Sequence, residues 1–267
     1  MATRMALSSA NPMLRARLHP TAAARALPVT LAVAVVALQI AYPRVDPGGG
    51  RDRLTVAIVL TFAAASTIHA LVWRGTRFAG ALLVTTGLGG LAIEAIGVST
   101  GVPFGEYRYT GSLGVQLLGV PAVVALAWTM MAYPAYVVSQ VLGGGMLRRA
   151  IVGGWALAAW DLFLDPQMVQ AGHWVWEPTG LMLAGIPISN YVAWFVVASA
   201  MMLALRVLAP SEHEQVIVDD RVPLALYVWT LASSVLAHAV FLDLPESALL
   251  GGLGMGVVVA SLIRAQR

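Results

Sequence analysis

The stretch Trp160-Asp161-Leu162-Phe163-Leu164-Asp165-Pro166 places two carboxylates four positions apart at the end of an otherwise apolar segment. On a helix that spacing puts both acids on one face, one turn apart. Ionised groups are costly in hydrocarbon, so acids inside an apolar segment face a cavity or a partner. Two acids held this close in a dry site do not both ionise cheaply. One keeps its proton at neutral pH and can serve as a proton donor. Asp161, deeper in the segment, is the expected acid, and Asp165, nearer water, the expected base that positions a water molecule. A plainer role competes: Asp165-Pro166 could end the helix, and Asp161 could bond a neighbouring helix.

The surrounding composition says what kind of protein positions these acids. Of 267 residues, 59% are hydrophobic and only 11% charged, which is too apolar for an ordinary soluble domain and excludes disorder. Membrane embedding follows. There are no cysteines, so disulfides, thiolate metal sites and cysteine nucleophiles are excluded. All 16 basic residues are arginine, which rules out a lysine Schiff base. The net charge of +3 resides in arginines of short loops, where it sets membrane orientation and not nucleic-acid binding.

Eight apolar segments run roughly over 26–42, 54–73, 78–99, 115–141, 150–164, 186–208, 223–242 and 248–263. They predict an all-α, polytopic transmembrane helix bundle of about eight helices, with seven as the alternative count. The fifth and eighth are short for a full span and need tilt or flanking residues. Residues 1–25 read as a flexible cytoplasmic tail and 26–267 as one transmembrane domain. With the amino terminus inside, 12 arginines fall on the inner side and 4 on the outer, so both termini are expected in the cytoplasm of a multi-pass cell-membrane protein. Glu94, Asp161, Asp165, Asn190, His238 and Asp243 then gather near the outer face, with His69 the exception. No internal repeat is evident. The run Gly251 to Gly256 lies in an apolar helix with no preceding strand and reads as a small-residue packing face.

Four blocks, taken in order, carry a family resemblance. They are Gly101-Val102-Pro103-Phe104-Gly105-Glu106-Tyr107-Arg108-Tyr109-Thr110, Ala127-Trp128-Thr129-Met130-Met131-Ala132-Tyr133-Pro134, Ala159-Trp160-Asp161-Leu162-Phe163-Leu164-Asp165-Pro166-Gln167-Met168 and Gly185-Ile186-Pro187-Ile188-Ser189-Asn190-Tyr191. Together they resemble the membrane-bound carotenoid hydratase family (CruF type), well over about residues 80–200 and by hydropathy elsewhere. The resemblance implies addition of water across the terminal 1,2 double bond of an acyclic carotenoid end, C40 or C50, giving a tertiary alcohol. It implies no metal or redox cofactor.

Such a hydration needs an acid to protonate C2, a site where the C1 cation survives, and a water that attacks C1 while losing its proton to a base. Carboxylates suit the first and last steps, and aromatic faces the middle one. Beside Asp161 and Asp165, Glu94 is a second acid or base, or else the partner of an arginine such as Arg108. Glu106, Tyr107, Arg108 and Tyr109 form a lid over the site or an interfacial aromatic belt. Trp155, Trp160, Tyr191 and Trp194 are expected to line a polyene groove or face the cation. Trp174 and Trp176 serve there equally well as interfacial anchors. Trp160 points about 100° away from Asp161 on the helix. Asn190 holds the water or makes an interhelical bond. His238 has no metal-like partner nearby, and His173 with Glu177 falls in a loop flanked by Gly172 and Pro178.

Two other classes remain in view. Asp161 and Asp165 could hold magnesium and a diphosphate in a prenyltransferase-like enzyme, although no second such acidic pair occurs. Alternatively the protein binds a carotenoid or another lipid without chemistry. Expected partners are a carotenoid substrate and membrane lipid, with functional coupling to a carotenoid elongase or desaturase and no nucleic acid.

Overall fold

The computed structural model describes residues 20–177, 180–209 and 218–265. Most of the expected tail lies outside these residues, but Ala22 to Arg25 already belong to the first helix. The helices are α1 (Ala22–Ala41), α2 (Gly49–Leu82), α3 (Gly89–Thr100), α4 (Ala122–Leu142), α5 (Met146–Gln170), α6 (Ile188–Leu208), α7 (Arg221–Leu236) and α8 (Pro245–Ala265). Short π-helical turns, Leu83–Leu88 and Ala237–Phe241, join α2 to α3 and extend α7. The architecture is an all-α bundle, and six of the described helical stretches are long and apolar enough to cross a membrane. The helix α5 is not among them, because it carries the two site carboxylates. At 25 residues it is nevertheless much longer than the apolar segment 150–164. The fourth apolar segment is shortened instead: its start forms strands, and helix begins only at Ala122.

The continuous helical stretch Gly49–Thr100 has 52 residues. Run straight it would measure about 78 Å, more than twice the thickness of the hydrocarbon core. Gly75 breaks it with φ 85° and ψ 172°, values open to glycine and strained for other residues. Contacts with α4 show that the chain reverses there. Ser66, His69 and Phe78 meet Met130, Tyr133 and Tyr136 in ascending order, and then Thr86 and Glu94 meet Thr129 and Trp128 in descending order. The segments expected at 54–73 and 78–99 are thus the two limbs of one hairpin.

Two prolines lie inside helices of the core, and each is compensated from another helix. Pro166 does not end α5. It lacks the N–H that would bond the carbonyl of Leu162 four residues back, and the Ser247 hydroxyl of α8 donates to that carbonyl at 2.7 Å. Likewise Pro134 of α4 leaves the Met130 carbonyl open, and the Ser66 hydroxyl of α2 donates to it at 2.8 Å. In lipid an unpaired backbone carbonyl has no water to turn to, so these serines let the proline helices continue.

The structure reveals an internal repeat that the sequence conceals. The second limb of the hairpin, a loop and α4 form one unit; α5, a loop and α6 form the other. In the first loop β1 (Tyr107–Tyr109) is followed by the tight hairpin of β2 (Gln116–Leu117) and β3 (Val120–Pro121). In the second, β4 (Trp174–Trp176) is followed by β5 (Met182–Leu183) and β6 (Ile186–Pro187). The hairpin turns match residue for residue: Leu118 and Gly119 have φ 54° and 81°, Ala184 and Gly185 have 51° and 78°. β1 and β4 pair antiparallel about Arg108 and Val175. The flanking bonds are related by the same exchange, Thr110 N to His173 O at 3.0 Å and Glu177 N to Glu106 O at 2.9 Å. Trp128 of α4 and Trp194 of α6 occupy equivalent positions, and their indoles stack at 3.8 Å and 7°. The two units therefore meet around a pseudo-two-fold axis that passes between these indoles.

The remaining helices close the bundle. Gly251 and Gly254 let α8 approach α5 at Phe163 and at Leu162 and Ala159, the small-residue packing expected there. At the end away from the loops, His69 bonds Tyr133 Oη and the Asp219 carbonyl at 2.8 and 2.9 Å, and Arg74 pairs with Asp220 at 2.6 Å.

Candidate active site

Glu94 is buried in α3 with three donors aimed at it. Tyr107 and Tyr109 Oη donate to Oε2 at 2.5 and 2.9 Å, and Trp128 Nε1 donates to Oε1 at 3.0 Å. The alternation of β1 explains this: Tyr107 and Tyr109 point inward and Arg108 outward. Arg108 is exposed and is not the partner of Glu94, as the loop-pairing alternative required. Burial, and then the neighbouring Glu94 charge, hold both phenols far above their ordinary value, so they stay protonated and donating. Three charge-assisted donors suit an ionised carboxylate.

The second acidic group is built differently. Asp161 and Asp165 are both buried on α5. Asn190, at the start of α6, reaches between them, and its Nδ2 donates to Asp161 Oδ2 at 2.8 Å and to Asp165 Oδ2 at 2.5 Å. Trp174 Nε1 of β4 donates to Asp165 Oδ1 at 3.0 Å. Asp161 Oδ1 is buried with no partner among the described residues. Two carboxylates thus share two donor groups, while Glu94 alone receives three. Two buried negative charges on so few donors are strongly disfavoured, and one shared proton relieves them.

Both groups adjoin one cavity of about 1210 Å³ of open space, part of it continuous with the exterior. Glu94, Asp165 and Asn190 line it together with Tyr107, Tyr109, Trp160, Trp174, Trp176 and Trp194. On α5 the lining positions 160, 163, 164, 167 and 168 follow helical periodicity and define its cavity face. Asp165 at the stripe's flank, one turn nearer the loops than Asp161, borders the cavity, and Asp161 does not. Depth along the helix points to Asp161 as the acid; of the two carboxylates, Asp165, nearer the loops, is the one that lines the cavity.

The other sequence-derived candidates divide. Trp160 and Trp194 line the cavity, their rings edge to face at 6.2 Å. Glu106 and Arg108 are exposed on the loop, and Trp155 is 46% exposed on the outer surface, where its Nε1 bonds the Gly254 carbonyl. Tyr191 bonds the Leu183 carbonyl and does not line the cavity. Trp174 and Trp176 are buried site residues: one holds Asp165, and the other lies against Tyr107 with ring centroids 4.7 Å apart. Trp128 and Gln167 were not singled out as site residues. The recurrence of Gly-x-Pro followed by Trp, at Gly119 to Trp128 and Gly185 to Trp194, was the available signal for Trp128. His238 links Ser247 and Gln167 at 2.9 and 3.0 Å, and His173 meets Ser112 at 2.7 Å. Among the described residues no three metal-ligating side chains converge.

Comparison with known proteins bears on this site. Bisanhydrobacterioruberin hydratase of Haloarcula japonica is 34% identical over 132 residues, covering 48% of this chain and 44% of that protein. The match thus spans less than half the length of that relative. No solved structure matches. A family model described as carotenoid biosynthesis protein matches residues 54–259, from α2 into α8 and across both repeat units. With Glu94, Asp161, Asp165 and Asn190 all inside that match, the chain belongs to the carotenoid biosynthesis protein family.

Proposed function

We propose that the protein is a carotenoid hydratase of the cell membrane, adding water across the terminal 1,2 double bond of an acyclic carotenoid end to give a tertiary alcohol. The observation that carries this proposal is the pairing of two unlike acidic groups on one aromatic-lined cavity in a membrane bundle. Its family membership and its hydratase-named relative support the same chemistry.

Asp165 delivers the proton to C2, because it lines the cavity and divides the Asn190 amide with the buried Asp161, an arrangement that favours one proton on the pair. Asp161, one turn farther from the loops, acts as a positioning residue that keeps the pair protonated. The indole faces around the cavity and the negative Glu94 stabilise the tertiary cation at C1. Water adds to C1 and its surplus proton passes to a carboxylate, which restores the starting charge. The proton lost from water replaces the one given to C2, so the sum is alkene plus water to alcohol. A diphosphate-ionising enzyme would need several carboxylate oxygens free for a metal; here three of the four on Asp161 and Asp165 face an amide or an indole N–H.

The test uses the full chain in lipid nanodiscs with an acyclic-ended carotenoid in heavy-oxygen water. The expected product gains one water mass carrying the label, without oxygen gas. Asp165→Asn is expected to lower turnover by about 100-fold or more, the usual worth of a general acid. Full turnover in that variant, or product unlabelled by water, would overturn the proposal.

A further inference from the structure

The cavity has a second wall that the acid chemistry does not use. It is formed by α1, the first limb of the α2 hairpin and α7, with Gln167 of α5 beside it. Its polar members are Gln39, Thr55, Gln167, Thr230, Ser233 and Ser234. Polar side chains at membrane depth are rare and need a purpose. The lining from α4, with Val123, Val124, Ala127 and Met130, is apolar and suits a hydrocarbon end.

The bonding of the polar wall is one-sided. Thr55 and Thr230 spend their hydroxyl protons on the carbonyls of Arg51 and Leu226, at 3.1 and 2.8 Å. Ser233 donates weakly to Thr230 O at 3.4 Å. Their oxygen lone pairs remain open. Gln39 Oε1 accepts from Trp229 Nε1 at 2.7 Å, which leaves its amide nitrogen as a donor, and the Gln167 amide, one end of which bonds His238, keeps its other end open. A wall of free acceptors and free donors bordering open space is what a row of ordered waters requires, since each needs two to four polar partners.

We propose that this wall binds and delivers the water that captures the carbocation. The inference rests on the hydratase proposal and names the route of its second substrate. A tertiary cation has two fates. Water adds to C1 and gives the alcohol, or a neighbouring carbon loses a proton to a carboxylate and an alkene returns. The first consumes one water and the second none. Water held at the polar wall decides between them, whereas the Asp165 proton transfer precedes both.

The fates separate in deuterium oxide. Reversible protonation washes deuterium into the recovered alkene whether or not water adds, and hydration yields deuterated alcohol. The double variant Thr230→Val with Ser234→Val is expected to raise the ratio of deuterium wash-in to alcohol by about tenfold, through loss of hydrogen bonds to water. Carotenoid binding, followed by the shift of its absorption band, should stay unchanged. Gln39→Leu on the peripheral α1 is expected to act in the same direction and serves if the double variant does not fold. An unchanged ratio overturns the inference. So does a loss confined to carotenoid binding, which would show that the wall holds the substrate itself. If the unaltered protein neither hydrates nor exchanges deuterium, the hydratase proposal fails first.

Discussion

The indole of Trp128 lies flat on that of Trp194, with centroids 3.8 Å apart and planes 7° apart. One ring also bonds Glu94 and the other borders the cavity beside Trp160. The stack thus couples the Glu94 group of one repeat unit to the aromatic wall of the other. Trp194→Phe keeps a π face and is expected to cost a few-fold in turnover. Trp194→Leu removes it and should cost about tenfold or more, in line with an aromatic pair and a cation–π contact of about 1–2 kcal/mol. Equal effects of the two substitutions on the rate would refute a role for the ring face.

Gly90 makes that stack possible. A methyl group added there would sit 2.7–2.8 Å from the Trp128 ring atoms. Gly90→Ala must therefore push Trp128 away from Glu94 and Trp194. The expected result is lower activity with the bundle still folded, and a shift of tryptophan fluorescence. Unaltered fluorescence and rate would show that the ring accommodates the methyl group in place.

Asn190 is the one amide shared by Asp161 and Asp165. Asn190→Leu leaves the acidic pair with Trp174 as its one side-chain donor among the described residues. A stability loss of about 1.5–3 kcal/mol is expected, the worth of hydrogen bonds to charged groups, with near-complete loss of turnover. Unfolding in mixed detergent micelles measures the first and alcohol formation the second. A variant as stable and active as the parent would remove Asn190 from the site.

The serine–proline pairs give a sharper test of the fold. Ser247→Ala should destabilise by about 1–3 kcal/mol, because the Leu162 carbonyl loses its donor. With Pro166→Ala in place, residue 166 regains an N–H and the same serine substitution should cost less, only its bond to His238 being lost. The double-mutant cycle is therefore expected to show strong non-additivity. Additive effects would mean that the hydroxyl does not stand in for the missing amide.

His173 predicts a pH dependence at the loop end. Burial lowers its pKa below the ordinary 6.5, against an opposing pull from Asp52 3.9 Å away. The released loop then binds a proton more readily than the packed one. Packing of the loop is complete above about 6.5 and weakens as pH falls below it. Faster amide exchange at Thr110 and Glu177 on acidification is the expected readout. Protection that is constant between pH 7 and 5 would contradict it.

The acidic residues were legible in the sequence because a carboxylate in an apolar run stands out on cost alone. Glu94, Asp165 and Asn190 do line one cavity, with Asp161 one turn farther from the loops. What stayed hidden depends on where the cavity lies along α5 and on donors that blend into the apolar background. Asp161 is the deeper acid in sequence, yet it is Asp165, one turn nearer the loops, that the cavity reaches. Pro166 reads as a stop signal, and only a serine 81 positions later removes the reason to stop. The repeat was concealed because its equivalences are chemical and not literal. Tyr107 and Tyr109 correspond to Trp174 and Trp176, and Glu94 to Asp161, each 67 residues apart.

That correspondence breaks at one instructive place: the counterpart of Asp165 in the first unit is Val98. Had both units carried the extra acid, four carboxyl groups would crowd a single oily chamber and their mutual repulsion would strip the distinction between anion and proton donor. One valine keeps the number at three and the labour divided. Two identical subunits closing around such a chamber could never have made that choice; a chain that contains both copies can differ from itself at a single residue.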